Sequence, residues 1–218
     1  MTPITTEQAA WPITNEQAAW EAFDEHTREH ELEVIHDDGL YRHLRLAKPG
    51  TRMWSIDITT WPGHLATTGD IGSGFIFART ADMIDFFASR GDFRTGFGAP
   101  SIDFRYWEEK LCGRGTNKVY EYSPHAFVKQ VESAVDDFID GGGDPGEANT
   151  AELLAEARRS ADDEDSAHDF ISLHDEIFGP DSWELNFTEI SFQFGLACYA
   201  IDRVVTDYLA GRYTRVEP

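Results

Sequence analysis

Residues 188–210 constrain the fold more than any other stretch of this chain, because their apolar pattern leaves no polar side. At helical spacing Ile190, Phe194, Cys198, Ile201, Val205 and Leu209 form one stripe, and Phe192, Leu196 and Tyr199 form another. A helix that is apolar nearly all round has to be buried, since no orientation at a surface hides both stripes. The run from Ile190 to Ile201 is bounded by Glu189 and Asp202 and falls short of the roughly 20 residues that cross a bilayer. The expectation is a central helix packed against the concave side of a sheet. The sequence MTPITTEQAAW has no basic region followed by an apolar run, so neither a signal peptide nor a membrane span is expected.

The layer that covers such a helix is written between residues 31 and 79. Glu31 to Ile35 and Leu40 to Leu46 alternate polar and apolar residues, which is strand chemistry. Met53 to Thr60 repeats the pattern with Trp54, Ile56 and Ile58 on one face, and Leu65 to Thr68 and Phe75 to Phe77 follow. The connections, Lys48-Pro49-Gly50-Thr51 and Trp61-Pro62-Gly63-His64, are short. Short connections predict an antiparallel meander, here of about four or five strands.

Elsewhere the period is helical. Thr14 and Gln17 form a capping-box pair that opens a helix running to about Glu29. Thr80 is the expected cap of a helix carrying Met83, Ile84 and Phe87 and ended by Gly91. Ser123-Pro124 opens the clearest amphipathic helix, with Phe127, Val128, Val131, Val135, Phe138 and Ile139 at helical spacing before Gly141. Gly141 to Asn149 reads as a flexible linker, Thr150 as a helix start and Ala161 to Asp165 as an acidic loop. A further helix carries Phe170, Leu173, Ile177 and Phe178 and stops at Gly179-Pro180. The fold class is α+β, an antiparallel meander packed against several helices including a buried C-terminal one. Pro3 to Trp11 recurs with one change as Pro12 to Trp20, too short a tandem for a solenoid. Residues 1–13 are therefore expected to be a duplicated tail, and residues 14–218 a single domain with an acidic insert at about 140–181.

Forty Asp and Glu against 18 Lys and Arg give a net charge of −22, which excludes a protein that coats nucleic acid non-specifically. Residues 132–184 hold 17 of the acids and only Arg158 and Arg159 as bases. Residues 39–79 reverse the sign, with Arg42, Arg45, Lys48, Arg52 and Arg79 against Asp57 and Asp70. That patch is where a small anionic ligand is expected, at Tyr41, Arg42, His43 and Arg45. Cys112 and Cys198 have no metal-site spacing and no paired framework, which fits a reducing, cytoplasmic setting.

Two turns flank a short strand in Trp61-Pro62-Gly63-His64-Leu65 and Gly69-Asp70-Ile71-Gly72. Alternation places Tyr41, His43 and Arg45 on one face and brings Asp57, His64 and Asp70 toward the turn ends. Histidines, carboxylates and an arginine are the stock for general acid-base work or for a divalent metal with phosphate. Asp57, His64 and Asp70 are thus the candidate catalytic set. No cofactor is required by any motif, although a divalent metal is compatible with this set, and no metal ligands are assigned. Gly69 to Gly74 is neither a dinucleotide fingerprint nor a phosphate loop, and no calcium loop or nucleophile elbow is present. In the acidic segment Asp162, Asp163, Glu164 and Asp165 form a carboxylate row of the kind that meets a basic protein surface.

The segments Tyr41 to Arg45, Trp61 to Leu65 with Gly69-Asp70 and Gly72, Phe75 and Phe77, Tyr106 to Lys110, and Cys198 to Ile201 resemble a family of small uncharacterised proteins of bacteriophages, prophages and actinobacteria. The likeness covers residues 32–140 and 183–210. It implies a phage accessory role, directed against a host defence system and exercised in the host cytoplasm, and supplies no catalytic residues. The expectation is a non-enzymatic protein whose acidic surface engages a basic host or phage macromolecule. The alternative is a metal-dependent phosphoester hydrolase, or a nucleotide-sequestering protein, using the His/Asp/Arg sheet face.

Overall fold

Alternation between residues 31 and 79 produces successive strands joined by tight turns. Helix α1 (Asn15–Thr27) leads into β1 (Glu31–Asp38), β2 (Tyr41–Ala47), β3 (Ile56–Trp61), β4 (His64–Gly69) and β5 (Ile76–Ala78), each strand antiparallel to the one before. Short helices α2 (Met83–Phe87) and α3 (Phe104–Glu108) precede β6 (Leu111–Gly113). Then come β7 (Tyr120–Tyr122), α4 (Pro124–Asp140), α5 (Glu147–Ser160), α6 (Glu164–Leu173), α7 (Asp175–Phe178) and β8 (Thr188–Ile190), followed by α8 (Phe192–Leu209) and β9 (Thr214–Arg215). The fold is α+β. Its main sheet has seven strands in the order β6-β5-β4-β3-β2-β1-β9, the expected meander extended by two short strands, with β9 parallel to β1.

The computed structural model describes residues 12–88, 93–143, 147–179, 182 and 185–216, and the chain divides into two compact units. The first comprises residues 15–119 and 190–218. Here α8 covers the sheet face that carries Leu44, Leu46, Ile56, Ile58, Leu65 and Phe77, all fully buried. Phe194 of α8 lies 5.4 Å from Phe75 and 6.4 Å from Phe77, and each such buried ring contributes about 1.5–3 kcal/mol by leaving water. Helix α1 also packs against α8. Gly195 allows that approach, since a Cβ there would stand 2.7 Å from the Ala19 methyl.

The second unit is built on residues 120–189 and has its own core, with Phe127, Val131 and Val135 of α4 against Leu153, Ala157 and Phe170 of the following helices. Phe127 meets Phe170 and Phe187 edge-on at 5.8 and 5.2 Å. Ser123 caps α4 as expected, its hydroxyl accepting from the Ala126 N–H at 3.1 Å. Glu189 accepts from the same hydroxyl and lies 2.8 Å from His125 Nδ1, which fixes β8 to the start of α4.

Several local expectations are corrected. Trp54 is not in β3: it has φ 59°, a left-handed backbone that ends any strand pattern. Asp82, not Thr80, caps α2, because its carboxylate reaches the Ile84 N–H at 2.9 Å. Helix α5 starts at Glu147 rather than Thr150, and Glu164 and Asp165 belong to the first turn of α6 rather than to a loop. Leu209 is exposed, at the end of α8. Gly91, Pro180 and residues 1–11 of the duplicated tail lie outside the described residues. Among the described residues no helix is long and apolar enough to cross a membrane.

Candidate functional site

The face of the sheet opposite α8 carries the residues that alternation put together. Strand register sets Arg45 beside Asp57 and His43 beside Thr59 on neighbouring strands. One oxygen of Asp57 accepts from His43 Nε2 at 2.7 Å and from Arg45 Nε and Nη2, each at 2.9 Å. Asp57 is buried beneath these two side chains, while His43 remains about one-third exposed, at 35%. Tyr41 is exposed on the same face. A carboxylate holding an imidazole in one orientation is the arrangement of a general base, and a guanidinium beside it offers charge to an anion.

Asp57, His64 and Asp70 do not meet. Asp57 is opposite Thr68, whereas His64 is opposite Trp61, four residues along β4 and hence about 13 Å away at strand spacing. His64 stacks on Trp61 at 5.0 Å with its Nδ1 3.1 Å from the Pro62 carbonyl, so it packs the hairpin turn. Asp70 accepts from the Trp54 N–H at 2.7 Å and braces that left-handed residue, whose indole stacks on His26 at 4.1 Å. The adjoining Gly72 presses on α8: its N–H donates to Gln193 Oε1 at 3.0 Å, and a Cβ would come within 2.6 Å of the Ala197 backbone. The Gly69-Asp70-Ile71-Gly72 turn is therefore a clasp between β4 and α8.

Arg42 is also separated from its expected companions. It stands opposite Thr60, on the α8 side of the sheet, and grips Asp82 with two hydrogen bonds at 2.9 and 2.8 Å. Its Nε reaches the Tyr208 hydroxyl at 3.3 Å, and that hydroxyl donates to Asp37 at 3.0 Å. Burial disfavours both charges of the Arg42–Asp82 pair, but their mutual bonds outweigh it and hold the Asp82 carboxyl below its usual range. The positive stretch is thus answered by carboxylates, Arg42 by Asp82, Arg45 by Asp57 and Lys48 by Glu29. Arg52 and Arg79 are the exposed bases of this stretch without a carboxylate partner among the described residues.

Asp162, Asp163, Glu164 and Asp165 are all exposed, at the start of α6. Asp163 is the cap. The Ser166 N–H and then its hydroxyl, at 2.9 and 2.7 Å, hold the Asp163 carboxyl below its usual range. Burial, reinforced by Asp163, Glu164 and Asp162, pushes the Tyr122 phenol up to about 12, and its hydroxyl donates to the Ala161 carbonyl at 3.0 Å. The row is both a helix start favoured by negative charge and a local anionic field.

Sequence reasoning missed the polar cluster on α8. Asp202 and Asp207 are buried within that helix, and Asp207 pairs with Arg203 and Arg212. The four- and five-residue spacings of Arg203-Asp207-Arg212 were the available signal, hidden by the apolar stripes around them. Among the described residues no group of three or more His, Cys, Asp or Glu side chains is placed to hold a metal ion. Comparison of the chain with family models, curated proteins and solved structures yields no match.

Proposed function

We propose that this chain is a non-enzymatic binding protein, of the phage accessory kind directed against a host defence, whose 120–189 unit presents carboxylates to a basic macromolecular partner. The observation that carries this reading is charge density: those residues hold 19 Asp and Glu against three Lys and Arg. The exposed row from Asp162 to Asp165 stands at the start of an ordered helix, so binding orders its side chains but not its backbone. Complementary charge of this kind raises association rates and falls off steeply with salt. The dispersal of Asp57, His64 and Asp70 over three separate sets of contacts favours binding over hydrolysis.

The test keeps Asp163, because it caps α6, and reverses Asp162→Lys, Glu164→Lys and Asp165→Lys together. A basic partner captured stoichiometrically from nuclease-treated host lysate is expected to release early in a salt gradient. The triple variant is expected to bind it at least about tenfold more weakly, with a flatter dependence on salt. Equal affinity and an equal salt slope for the two proteins would refute the proposal.

A further inference from the structure

The first unit contains a cavity of about 430 Å³ whose lining is richer in arginine than this acidic chain leads one to expect. Four arginines and three aspartates line it, a positive surplus in a protein of net charge −22. Arg28 is matched by Asp24 at 2.6 Å, leaving Arg94, Arg203 and Arg212 with the buried Asp202 and Asp207. Asp207 is shared by two guanidiniums: Arg203 donates through Nε to one oxygen, and Arg212 donates through Nε and Nη2 to the other at 2.8 and 2.7 Å.

A guanidinium has five N–H donors, so one buried carboxylate positions both groups and saturates neither. Arg203, Asp207 and Arg212 also line a second cavity, of about 310 Å³, so the clamp borders two cavities. Arg94 has no carboxylate partner among the described residues; its Nη1 reaches only the Gly98 carbonyl, at 3.4 Å. Trp20 belongs to the same lining and is held at 5.2 Å from Tyr199 and 6.2 Å from Phe23, an indole packed against two rings and only partly covered.

Guanidiniums positioned by a carboxylate, with an aromatic ring in the same lining, suit a ligand with an anionic head and a planar body. The volume lies within the range of about 300–1,000 Å³ that holds small organic molecules. We propose that this cavity binds a small aromatic anion of nucleoside-monophosphate size, its phosphate or carboxylate on Arg94, Arg203 and Arg212 and its ring against Trp20. The site is distinct from Tyr41, Arg42, His43 and Arg45, and it does not rest on the reading of the acidic unit.

Isothermal titration of the full chain with the four ribonucleoside 5′-monophosphates, indole-3-acetate and inorganic phosphate tests the assignment and distinguishes phosphate from carboxylate heads. At least one aromatic anion is expected to bind with a Kd below about 1 mM, and at least about tenfold more tightly than inorganic phosphate. Arg94→Ala breaks no ion pair among the described residues, so the fold is expected to be retained while affinity falls by about tenfold or more. Arg212→Lys, which keeps the charge but loses the fork, is expected to lie between wild type and Arg212→Ala. Failure of every aromatic anion to bind below that limit overturns the proposal. So does inorganic phosphate binding as tightly as the aromatic anions, or affinity unchanged in Arg94→Ala and Arg212→Ala.

Discussion

Arg42 and His43 are neighbours in sequence and belong to opposite faces of β2, because side chains one residue apart in a strand point to opposite sides. That alternation turns Arg42 into a structural ion pair with Asp82 and leaves His43 for Asp57. The folded protein holds the Asp82 carboxyl ionised to lower pH than the unfolded chain does. Its stabilisation is therefore fully present above the ordinary carboxylate pKa and is lost as pH falls through the lower, folded value. Asp82→Asn retains an oxygen to cap α2, and is expected to cost about 2–3 kcal/mol at neutral pH, less than the ~3–5 kcal/mol for a fully buried pair that loses one partner. Urea unfolding of both proteins across the acid range should show the gap closing as pH drops, and a constant gap would refute the assignment. The grouping of Tyr41, His43 and Arg45 was legible from alternation alone. The meeting of His43 and Arg45 with Asp57 was not, because it depends on the register between β2 and β3, which strand periodicity leaves open.

Among the elements, the longest and most strongly periodic were the most legible. α4 begins where its Ser-Pro cap places it, and α8 is buried as a helix without a polar face must be. β6 and β9 are three and two residues long, too short to show alternation, and their places in the sheet follow from pairing. The apolar stripes of α8 also concealed why Asp207 is tolerated inside it, namely two arginines that converge on one carboxylate. The close approach of α1 and α8 is a separate device, and it depends on Gly195. Gly195→Val would drive side-chain atoms into Ala19 and is expected to destabilise the protein by about 1–3 kcal/mol. Ala19→Gly opens the same contact from the other side, so the double variant should recover part of the loss. Chemical unfolding of the two single variants and the double checks this, and strictly additive effects would show that the two helices do not compete for that space.

Across the whole molecule, charge is divided between the two units far more unevenly than size. Residues 120–189 hold 19 Asp and Glu against three Lys and Arg, while residues 15–119 and 190–218 hold 20 against 15. Repulsion among so many like charges opposes compaction of the first of these regions, and salt relieves it. The other region depends on opposite-charge contacts such as Arg42–Asp82 and Arg203–Asp207, which are partly buried and therefore screened less. Raising ionic strength from ~0.01 M to ~1 M shortens the Debye length from about 30 Å to about 3 Å, enough to isolate neighbouring surface carboxylates from one another. Hydrogen exchange followed by mass spectrometry resolves the two regions within one experiment. Exchange in α4 to α6 is expected to slow several-fold across that salt range, while β1 to β4 and α8 change little. Lowering pH toward the carboxylate range at low salt should slow opening of α4 to α6 in the same direction, once intrinsic exchange rates are corrected for pH, because protonation removes the same repulsion. Uniform slowing throughout the chain would instead trace the salt effect to hydrophobic burial, which both cores share.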